Sequence, residues 1–371
     1  MEKIIAMIMS LIMAAGLSAY SEGYIRQTSF KEAVNAFVNM SEIKKMKYTG
    51  EPSAEKWDGE AISIDSFASL TKKNGKDFVI LNLTDPHFSD YDYRAFLAFA
   101  SSSTAKRLVS EIKPDLITVT GDIVCADSTV YSIKRFTDLM ESFGVPWAPV
   151  FGNHDDEGNC DLNYLCDIML KSPNCLLKKG DPEMGYGNYG IRILNEDGSL
   201  NEVIVMLDSH HDQANEKQQK WVKAITDAAQ DAEISLFFHV PLPEYQYAYD
   251  EAKTDKGWKE EYKAYGEKHE NVCCERDAEG KPVQRGFFDI IKRAGNIKYV
   301  FCGHEHMNDF SILYQGVRLT YTMKLGKGSG FQLGFDGGTV ITIGENGINC
   351  INHKVKSLFS FKDEEIIRIG E

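Results

Sequence analysis

Residues 300–310 read VFCGHEHMNDF, and this stretch joins a strand pattern to two histidines. The apolar run at 299–302 predicts a buried strand, and the glycine that follows it predicts a turn. His304 and His306 come directly after that turn and flank Glu305. A core strand that ends on two imidazoles one residue apart raises the question of what the two rings bind.

Four other predicted strands, at 78–84, 116–121, 145–152 and 234–240, also end on polar residues of this chemical type. The residues at their ends are Asp85 and His87, then Asp122, then Asn153, His154 and Asp155, and finally His239. Ligands bind beyond the carboxyl ends of the strands in parallel α/β sheets, so these side chains can converge in one crevice. A single histidine or Gly-Asp pair after a strand usually marks only a turn, but five such ends in order indicate a shared site.

The residue types in this set favour a metal site. Imidazole, carboxylate and amide oxygen together suit Zn, Mn or Fe better than Mg or Ca, which prefer oxygen ligands alone. Seven candidate ligands are too many for one tetrahedral ion and suit two. Two ions about 3.5–4 Å apart need a bridging carboxylate, and such pairs clamp the oxygens of a phosphoric ester during hydrolysis.

From residue 77 onward, short apolar runs alternate with amphipathic stretches, which is typical of βαβ units. The segment 244–285 is polar and aromatic and is interpreted as an insertion near the cleft. The predicted helices lie at 29–46, 93–113, 128–143, 213–229 and 286–295, with a hairpin at 189–209 and further antiparallel strands after 310. The predicted organisation is an N-terminal extension at 20–75, a catalytic domain at 76–350 and a C-terminal tail at 351–371.

Within the first residues, MEKIIAMIMSLIMAAGLSAY, the apolar run from Ile4 to Leu17 carries no charge and ends in small residues. This pattern predicts a signal peptide at 1–19 and a secreted, periplasmic or otherwise extracytoplasmic protein without stable membrane insertion after cleavage. An uncleaved membrane anchor and an ordinary core segment are the alternatives. An oxidising location would permit the eight cysteines to pair.

The net charge of −14, from 55 acidic and 41 basic residues, argues against binding nucleic acid or an anionic membrane through a broad basic face. It is compatible with a small anionic substrate, because bound metal ions reverse the local field.

Over roughly 77–345, the chain closely resembles the pattern of the calcineurin-like metallophosphoesterase superfamily. The motifs that carry the resemblance are, in order, DPH, GD, GNHD, H and GHEH. The stretches GNHDDEG, FFHVPLPEY and KLGKGSGF are similar to those of the purple-acid-phosphatase-like small phosphatases of plants and fungi. The resemblance implies an α/β fold, a four-layer α/β/β/α sandwich of two mixed β-sheets with flanking helices. It places a dinuclear metal site at the carboxyl ends of the strands.

The same resemblance implies a role for each candidate residue. The first ion would be held by Asp85, His87, Asp122 and His306, and the second by Asp122, Asn153, His239 and His304, with Asp122 bridging. A metal-bridging hydroxide would be the nucleophile, His154 would protonate the leaving oxygen, and Asp155 would orient His154. Glu305 receives no role and is expected to point away from the site.

The chain differs at two places from the motifs of related enzyme groups, and these differences narrow the class of phosphatase that is expected. Purple enzymes of the family have a tyrosine three residues after the Gly-Asp aspartate, whereas this chain has Cys125, which is either a soft ligand or a buried thiol. The protein Ser/Thr phosphatases carry GDxxDRG and GNHE, which are replaced here by GDIVCAD and GNHDD. The chain is therefore not expected to be a protein Ser/Thr phosphatase.

The leading hypothesis is a phosphomonoesterase that uses two divalent or trivalent metal ions, Zn, Mn or Fe. A phosphodiesterase acting on small diesters or nucleotides is the alternative, and a non-catalytic binding module is a third class. The leaving-group pocket is expected to draw on 156–190 and on 244–285, with Tyr245, Tyr247, Tyr249, Trp258 and Lys263 as lining residues. Alternatively, 244–285 is a solvated insertion.

Overall fold

The computed structural model describes residues 46–73, 75–89, 92–125, 130–209, 213–326, 330, 335–356 and 361–369. The predicted signal peptide at 1–19 lies outside these residues, as does all of the predicted helix at 29–46 except its last residue, and both stay predictions. Among the helices that are described, none is both long enough and apolar enough to cross a membrane.

The larger sheet has seven strands. They are β1 (Ala68–Thr71), β5 (Tyr189–Leu194), β6 (Leu200–Met206), β7 (Glu233–Phe237), β10 (Ile297–Cys302), β11 (Ser311–Tyr314) and β12 (Val317–Tyr321). Their order is β1-β5-β6-β7-β10-β12-β11. Strands β6, β7, β10 and β12 run parallel, and β5 pairs antiparallel with β6 as the predicted hairpin.

The second sheet has six strands. They are β2 (Phe78–Leu83), β3 (Leu116–Thr120), β4 (Trp147–Val150), β13 (Gly337–Gly344), β14 (Gly347–Lys356) and β15 (Phe361–Arg368). Their order is β15-β14-β13-β2-β3-β4, with β2, β3 and β4 parallel and the other pairs antiparallel. A separate two-stranded ladder joins β8 (Lys253–Thr254) to β9 (Gly257–Trp258).

Six α-helices lie in the described part of the chain and accompany the sheets. They are α1 (Asp92–Ile112), α2 (Val130–Glu141), α3 (Leu162–Met169), α4 (Glu216–Ala228), α5 (Glu244–Ala252) and α6 (Phe287–Ala294). Asp161 caps α3 by accepting the backbone N–H of Tyr164, and Asn215 forms a capping box with Gln218 at the start of α4. Three short 3₁₀ turns lie at Ile64–Ser66, Pro182–Met184 and Glu260–Tyr262.

Alternate residues of the central strands face two hydrophobic cores. In β6, Ile204 packs with residues of the six-stranded sheet, whereas Val203 and Val205 pack with helices α4, α5 and α6. In β10, Phe301 packs in the same core as Ile204, and Val300 packs in the same core as Val203 and Val205. Successive side chains of a strand point to opposite faces. The first core also takes in α1, α2 and α3. Two mixed sheets packed together between helices confirm the predicted fold.

The domain boundaries differ from the prediction at both ends. Strand β1 lies in the predicted extension 20–75, yet it pairs in parallel with β5 along the edge of the larger sheet. The predicted tail at 351–371 contains the end of β14 and all of β15, which pair with each other in the second sheet. These edge strands carry weak apolar patterns because only part of each is buried, so the sequence did not reveal them.

The eight cysteines are present as thiols. Burial raises the pKa of the Cys166 thiol well above its ordinary value and raises that of Cys175 to about 12. Such thiols react slowly near neutral pH, because the thiolate is the reactive form.

Glu202 of β6 should make the stability of the fold depend on pH. Its side chain is fully buried, with Oε1 accepting the Ser235 hydroxyl at 2.6 Å and Oε2 without a hydrogen-bond partner in the described residues. Burial, with Glu233 opposite on β7, raises the pKa of Glu202 to about 8. The folded state thus holds a proton that the unfolded chain releases near its ordinary pKa of about 4.3.

This contribution to stability is complete below the unfolded pKa and is lost as the pH rises through about 8. Glu202→Gln, which stays neutral, should therefore gain stability relative to the wild type by up to about 1.4 kcal/mol per pH unit between pH 5 and 8. Urea unfolding at several pH values measures this slope, with the exposed Glu111→Gln as the matched control. A difference that does not change with pH would contradict the prediction.

Candidate metal centre

All nine predicted site residues lie just beyond the carboxyl ends of five strands. Strands β2, β3 and β4 are adjacent and parallel in one sheet, and they lead to Asp85, Asp122 and Asn153 respectively. Strands β7 and β10 are adjacent and parallel in the other sheet, and they lead to His239 and His304. The centre therefore spans the ends of both sheets.

The backbone is strained where the ligands leave the strands. Asp85, His87, Asp122 and His304 have φ values of 51°, 46°, 49° and 76°, a left-handed region that non-glycine residues rarely adopt. Such strain clusters at functional sites, where the surrounding structure holds it in place.

Two motif glycines permit the close approach of the motif loops. A Cβ at position 152 would collide with Oδ1 of Asp122, and a Cβ at position 303 would collide with the Thr84 hydroxyl. The glycines of GNHD and GHEH are therefore required by the packing of one loop against the next.

One group of potential ligands comprises Asp85, His87, Asp122 and His306, whose ligand atoms all lie within 4.8 Å of one another. Nε2 of His87 is 3.0 Å from Nε2 of His306 and 3.6 Å from Oδ2 of Asp122. Oδ1 of Asp85 is 3.3 Å from Nε2 of His306. Three loops from two sheets thus supply one compact set of nitrogen and oxygen atoms.

The second group comprises Asp122, His239 and His304, with Asn153 alongside. Nε2 of His239 is 3.3 Å from Oδ1 of Asp122, 3.2 Å from Oδ1 of Asn153 and 3.2 Å from Nδ1 of His304. Asp122 belongs to both groups and turns one carboxylate oxygen toward each. This is the geometry required of a bridging ligand.

The two groups present lone pairs that face one another, which fits metal ions. His239 Nδ1 lies 2.8 Å from the Thr120 carbonyl, and His306 Nδ1 lies 2.7 Å from the Gly330 carbonyl. With an ion bound, these nitrogens would donate to the carbonyls, and the neutral rings would direct the lone pairs of Nε2 into the site. Oδ1 of Asp85 is buried without a hydrogen-bond partner in the described residues, although histidine nitrogens surround it. A cation satisfies all of these atoms at once.

The electrostatics of the centre also favour positive charge. Burial acts to lower the pKa of His239, but Asp122 and Asp85 outweigh it and raise the pKa to about 10. Burial acts to raise the pKa of Asp122, but His239 and His87 outweigh it and hold that pKa well below the ordinary carboxyl value. Burial, with His239 alongside, lowers the pKa of His304 to about 4. Asp122 is therefore a carboxylate, and the His304 ring is neutral.

His154 lies beside the ligand groups without belonging to either. Its ring centroid is 5.8 Å from that of His87, and its backbone N–H donates to Oδ1 of Asp122 at 3.0 Å. Its side chain is 39% exposed, so a substrate can reach the ring. This placement is the one that a general acid needs.

The prediction that Asp155 orients His154 is wrong. The Asp155 carboxylate is buried and accepts the backbone N–H groups of Val124 and Gly152, at 2.9 and 2.7 Å, so it ties the loops together. Oε2 of Glu157 lies 2.5 Å from Nδ1 of His154 instead. Glu157 follows three residues later in the same loop, and only the turn of the backbone determines which carboxylate reaches the ring.

Two buried side chains that the sequence analysis did not single out support Asp85. The Thr84 hydroxyl donates to Oδ2 of Asp85 at 2.7 Å. The ammonium group of Lys324 donates to the Asp85 carbonyl at 2.7 Å, and burial lowers its pKa to about 8. Lys324 is the first residue of the motif KLGKGSGF. This motif was the feature of the sequence from which a role for Lys324 could have been predicted.

Glu305 belongs to neither of the two ligand groups that share Asp122, although its carboxylate lies within 4.8 Å of a ring nitrogen of His304, and it has a structural role. Oε2 accepts the Tyr321 hydroxyl at 2.6 Å, and Oε1 accepts the backbone N–H of Cys273 at 2.5 Å. Asn308 extends the same connection by accepting the backbone N–H groups of His269 and Glu270. The loop that carries His304 and His306 is therefore anchored to the segment 267–273.

Glu305→Ala should destabilise the protein by about 2 kcal/mol or more, because it leaves the buried Tyr321 hydroxyl and the Cys273 N–H without their acceptor. Because His304 and His306 flank it, metal content should fall as well. Thermal unfolding and metal analysis measure the two effects, and the exposed Glu267→Ala is a control on the anchored segment. Unchanged stability would show that Glu305 is not an anchor.

Cys125 occupies the position of the purple-enzyme tyrosine and is a buried thiol. Its Sγ donates to the His87 carbonyl at 3.3 Å, and it belongs to none of the ligand groups found among the described residues. The thiol therefore faces the backbone behind the first group of ligands.

Comparison of the sequence with known proteins identifies relatives of this chain. A family model for calcineurin-like phosphoesterases matches residues 78–308. The chain is 27% identical over 275 residues to "Probable inactive purple acid phosphatase 14" of Arabidopsis thaliana, covering 64% of this chain and 62% of that protein. It is 30% identical over 229 residues to "Phosphatase DCR2" of Saccharomyces cerevisiae, covering 54% of this chain and 37% of that protein. The matches thus span about three fifths of the plant relative and just over a third of the yeast relative.

The structure of a dimetal phosphatase from Danio rerio covers 79% of this chain and 99% of that chain, with a TM-score of 0.51. At 11% identity this likeness concerns the fold alone. The two ligand groups around Asp122 are compatible with two metal ions. Since the family model covers more than half of the 371 residues, the chain belongs to the calcineurin-like phosphoesterase family.

Proposed function

We propose that the protein is a metal-dependent phosphomonoesterase that hydrolyses small phosphorylated substrates. The observation that carries this proposal is the pair of ligand groups that share Asp122, with the exposed ring of His154 beside them. When bound, two metal ions would supply positive charge for the phosphate oxygens and would activate a water molecule. Asp85, His87 and His306 would hold one ion, Asn153, His239 and His304 the other, and Asp122 would be shared.

In this mechanism the protein's own residues position the substrate and deliver a proton. Hydrolysis joins the oxygen of one water molecule to phosphorus and breaks the bond to the leaving alcohol, whose oxygen takes a proton. Glu157 accepts from Nδ1 of His154, so the proton donor is the ring with both nitrogens protonated, and Nε2 delivers its hydrogen to the leaving oxygen. The carboxylate also keeps the ring oriented.

The intact ligand set supports a catalytic protein over a non-catalytic binding module. The Arabidopsis relative carries the word "inactive" in its name. In this chain all seven predicted ligands and His154 are present and lie together. Oδ1 of Asp85 is buried without a hydrogen-bond partner in the described residues, and a bound cation would compensate its charge.

Chelation followed by metal addition tests the proposal. The purified protein is treated with a chelator, and Zn, Mn and Fe are returned separately. Hydrolysis of p-nitrophenyl phosphate and of bis-p-nitrophenyl phosphate is then followed in parallel. We expect activity to disappear on chelation, to return with at least one metal, and to be faster on the monoester.

The outcomes separate the hypotheses. Activity that survives chelation would overturn the dinuclear mechanism. Faster cleavage of the diester would replace the phosphomonoesterase with a phosphodiesterase on the same ligands, and no hydrolysis of either ester by a protein with two bound ions would favour a binding module. Metal analysis of the most active preparation identifies the ions.

A further inference from the structure

A third group of potential metal ligands adjoins the candidate metal centre. It comprises Cys273, His304 and Glu305, whose ligand atoms all lie within 4.8 Å of one another. Cys273 is exposed, His304 is partly buried and Glu305 is buried. Of the ligand groups found among the described residues, this is the one that contains a sulfur atom. It therefore differs in chemistry from the two groups that share Asp122.

Hydrogen bonds between two segments of the chain hold this group together. The backbone N–H of Cys273 donates to Oε1 of Glu305 at 2.5 Å, and the Tyr321 hydroxyl donates to Oε2. Between the same two segments, the backbone N–H of Met307 donates to Oε2 of Glu270 at 3.1 Å. The three potential ligands are thus already close together, so an ion would bind at little cost in loop ordering.

The residue types in this group suit a thiophilic ion. Thiolate sulfur, imidazole nitrogen and carboxylate oxygen are ligands of Zn²⁺, and thiolate selects soft ions over Mg²⁺ and Ca²⁺, which prefer oxygen. Three protein ligands leave one position of a tetrahedral ion for water, and the exposure of Cys273 gives both the water and the ion access. The thiol releases its proton to solvent as the ion binds.

His304 is shared between this group and the group that contains His239 and Asp122. Its Nδ1 lies 3.2 Å from Nε2 of His239, so this nitrogen faces the proposed position of the second ion. A neutral imidazole has a single nitrogen lone pair, so it ligates one ion at a time. An ion held by Cys273 and Glu305 would therefore compete with the second ion for His304.

We propose that Cys273, His304 and Glu305 form an additional metal site for a thiophilic divalent ion, such as Cd²⁺ or an excess of Zn²⁺. Occupation of this site inhibits hydrolysis, because it withdraws His304 from the second ion of the dinuclear centre. The inhibition rests on the phosphomonoesterase function proposed above, whereas the binding of the ion to the thiolate does not.

Titration with Cd²⁺ tests the site on the full chain, loaded with two ions of the metal that best supports hydrolysis. Binding is followed through the ultraviolet charge-transfer absorption of the Cd–thiolate bond and through metal analysis after gel filtration. Inhibition is followed through hydrolysis of p-nitrophenyl phosphate. We expect the thiolate band to appear, the content of resident ions to fall below two per chain and turnover to fall by about tenfold or more.

Replacement of Cys273 by serine removes the sulfur but keeps the backbone N–H that Glu305 accepts. Cys273→Ser should abolish the thiolate band. It should also raise the Cd²⁺ concentration for half-inhibition by about tenfold or more, with the activity of each variant measured relative to its own value before Cd²⁺ is added. Ca²⁺, which prefers oxygen ligands, should cause no inhibition that depends on Cys273.

Cys274→Ser is the matched control, because it makes the same change at the adjacent cysteine. Sγ of Cys274 donates to the Val272 carbonyl at 3.5 Å, and Cys274 belongs to none of the ligand groups found in the described part of the chain. This variant should keep the thiolate band and the Cd²⁺ sensitivity of the wild type.

Equal sensitivity of Cys273→Ser and the wild type to Cd²⁺ would place the inhibition at the dinuclear centre and overturn the additional site. Loss of the thiolate band in Cys274→Ser but not in Cys273→Ser would overturn it as well. Binding of Cd²⁺ through Cys273 without a loss of turnover would overturn the competition for His304. If the protein with two bound ions hydrolysed no ester, the phosphomonoesterase would be overturned, and the thiolate band and the resident-ion content would still decide the site.

Discussion

Replacement of Asp122 by asparagine is expected to lower turnover of p-nitrophenyl phosphate by about 1,000-fold and to reduce the metal content below two ions per chain. Asp122 is the one described side chain that belongs to both Asp-His ligand groups. Oδ2 lies 3.6 Å from Nε2 of His87, and Oδ1 lies 3.3 Å from Nε2 of His239. An amide keeps the shape but cannot offer two anionic oxygens to two ions.

Metal analysis after gel filtration and steady-state kinetics measure the two effects. Asp231→Asn makes the same change of charge at an exposed site and should retain two ions and full turnover. If Asp122→Asn kept two ions and turned over substrate at the wild-type rate, Asp122 would not be the bridging ligand.

Replacement of His154 by alanine is expected to lower kcat by about 100- to 10,000-fold while two ions stay bound. The ring is 39% exposed, contacts Glu157 through Nδ1 and lies outside both ligand groups, so its removal takes away a proton donor and no ligand. The loss should be larger for phenyl phosphate than for p-nitrophenyl phosphate. The poorer leaving group depends more on protonation.

Variants of the residues next to His154 distinguish its role as proton donor from the roles of the residues that hold the loop in place. Glu157→Gln should lower kcat less than His154→Ala, because the ring remains and only its partner changes. Asp155→Asn should lower stability, since both of its oxygens accept backbone N–H groups. His269→Ala, at an exposed histidine outside the ligand groups, is the control. Loss of metal from His154→Ala, or an equal loss on both substrates, would argue against a general acid.

The prediction of the fold succeeded where apolar patterns were strong. The strand at 78–84 and the helix at 213–229 correspond to β2 and α4 within a few residues. It failed at β1 and β15, which lie at sheet edges. It also took 244–285 for an insertion, although α5 packs its Tyr245 into the core. Secondary structure is predicted from the alternation of apolar and polar residues. This alternation is weak in edge strands and in amphipathic helices that have tyrosine at buried positions.

The sequence by itself determined which residues could form the centre. Each ligand follows a strand directly, and the ends of parallel strands meet at one edge, so the chemical types and their order were readable from local patterns. The division into two groups was implied by the family resemblance, since the spacing along the chain does not show which loop faces which.

Only the tertiary structure decided the contacts between loops. Residues as distant in sequence as His87 and His306 lie 3.0 Å apart at Nε2, because two sheets bring their strand ends together. Two further contacts likewise depend on where each loop turns. They are the contact of His154 with Glu157 rather than Asp155 and the anchoring of Glu305 on Cys273. The physical reason is that strand formation is local, whereas the direction of a side chain in a loop is set by the residues packed against it.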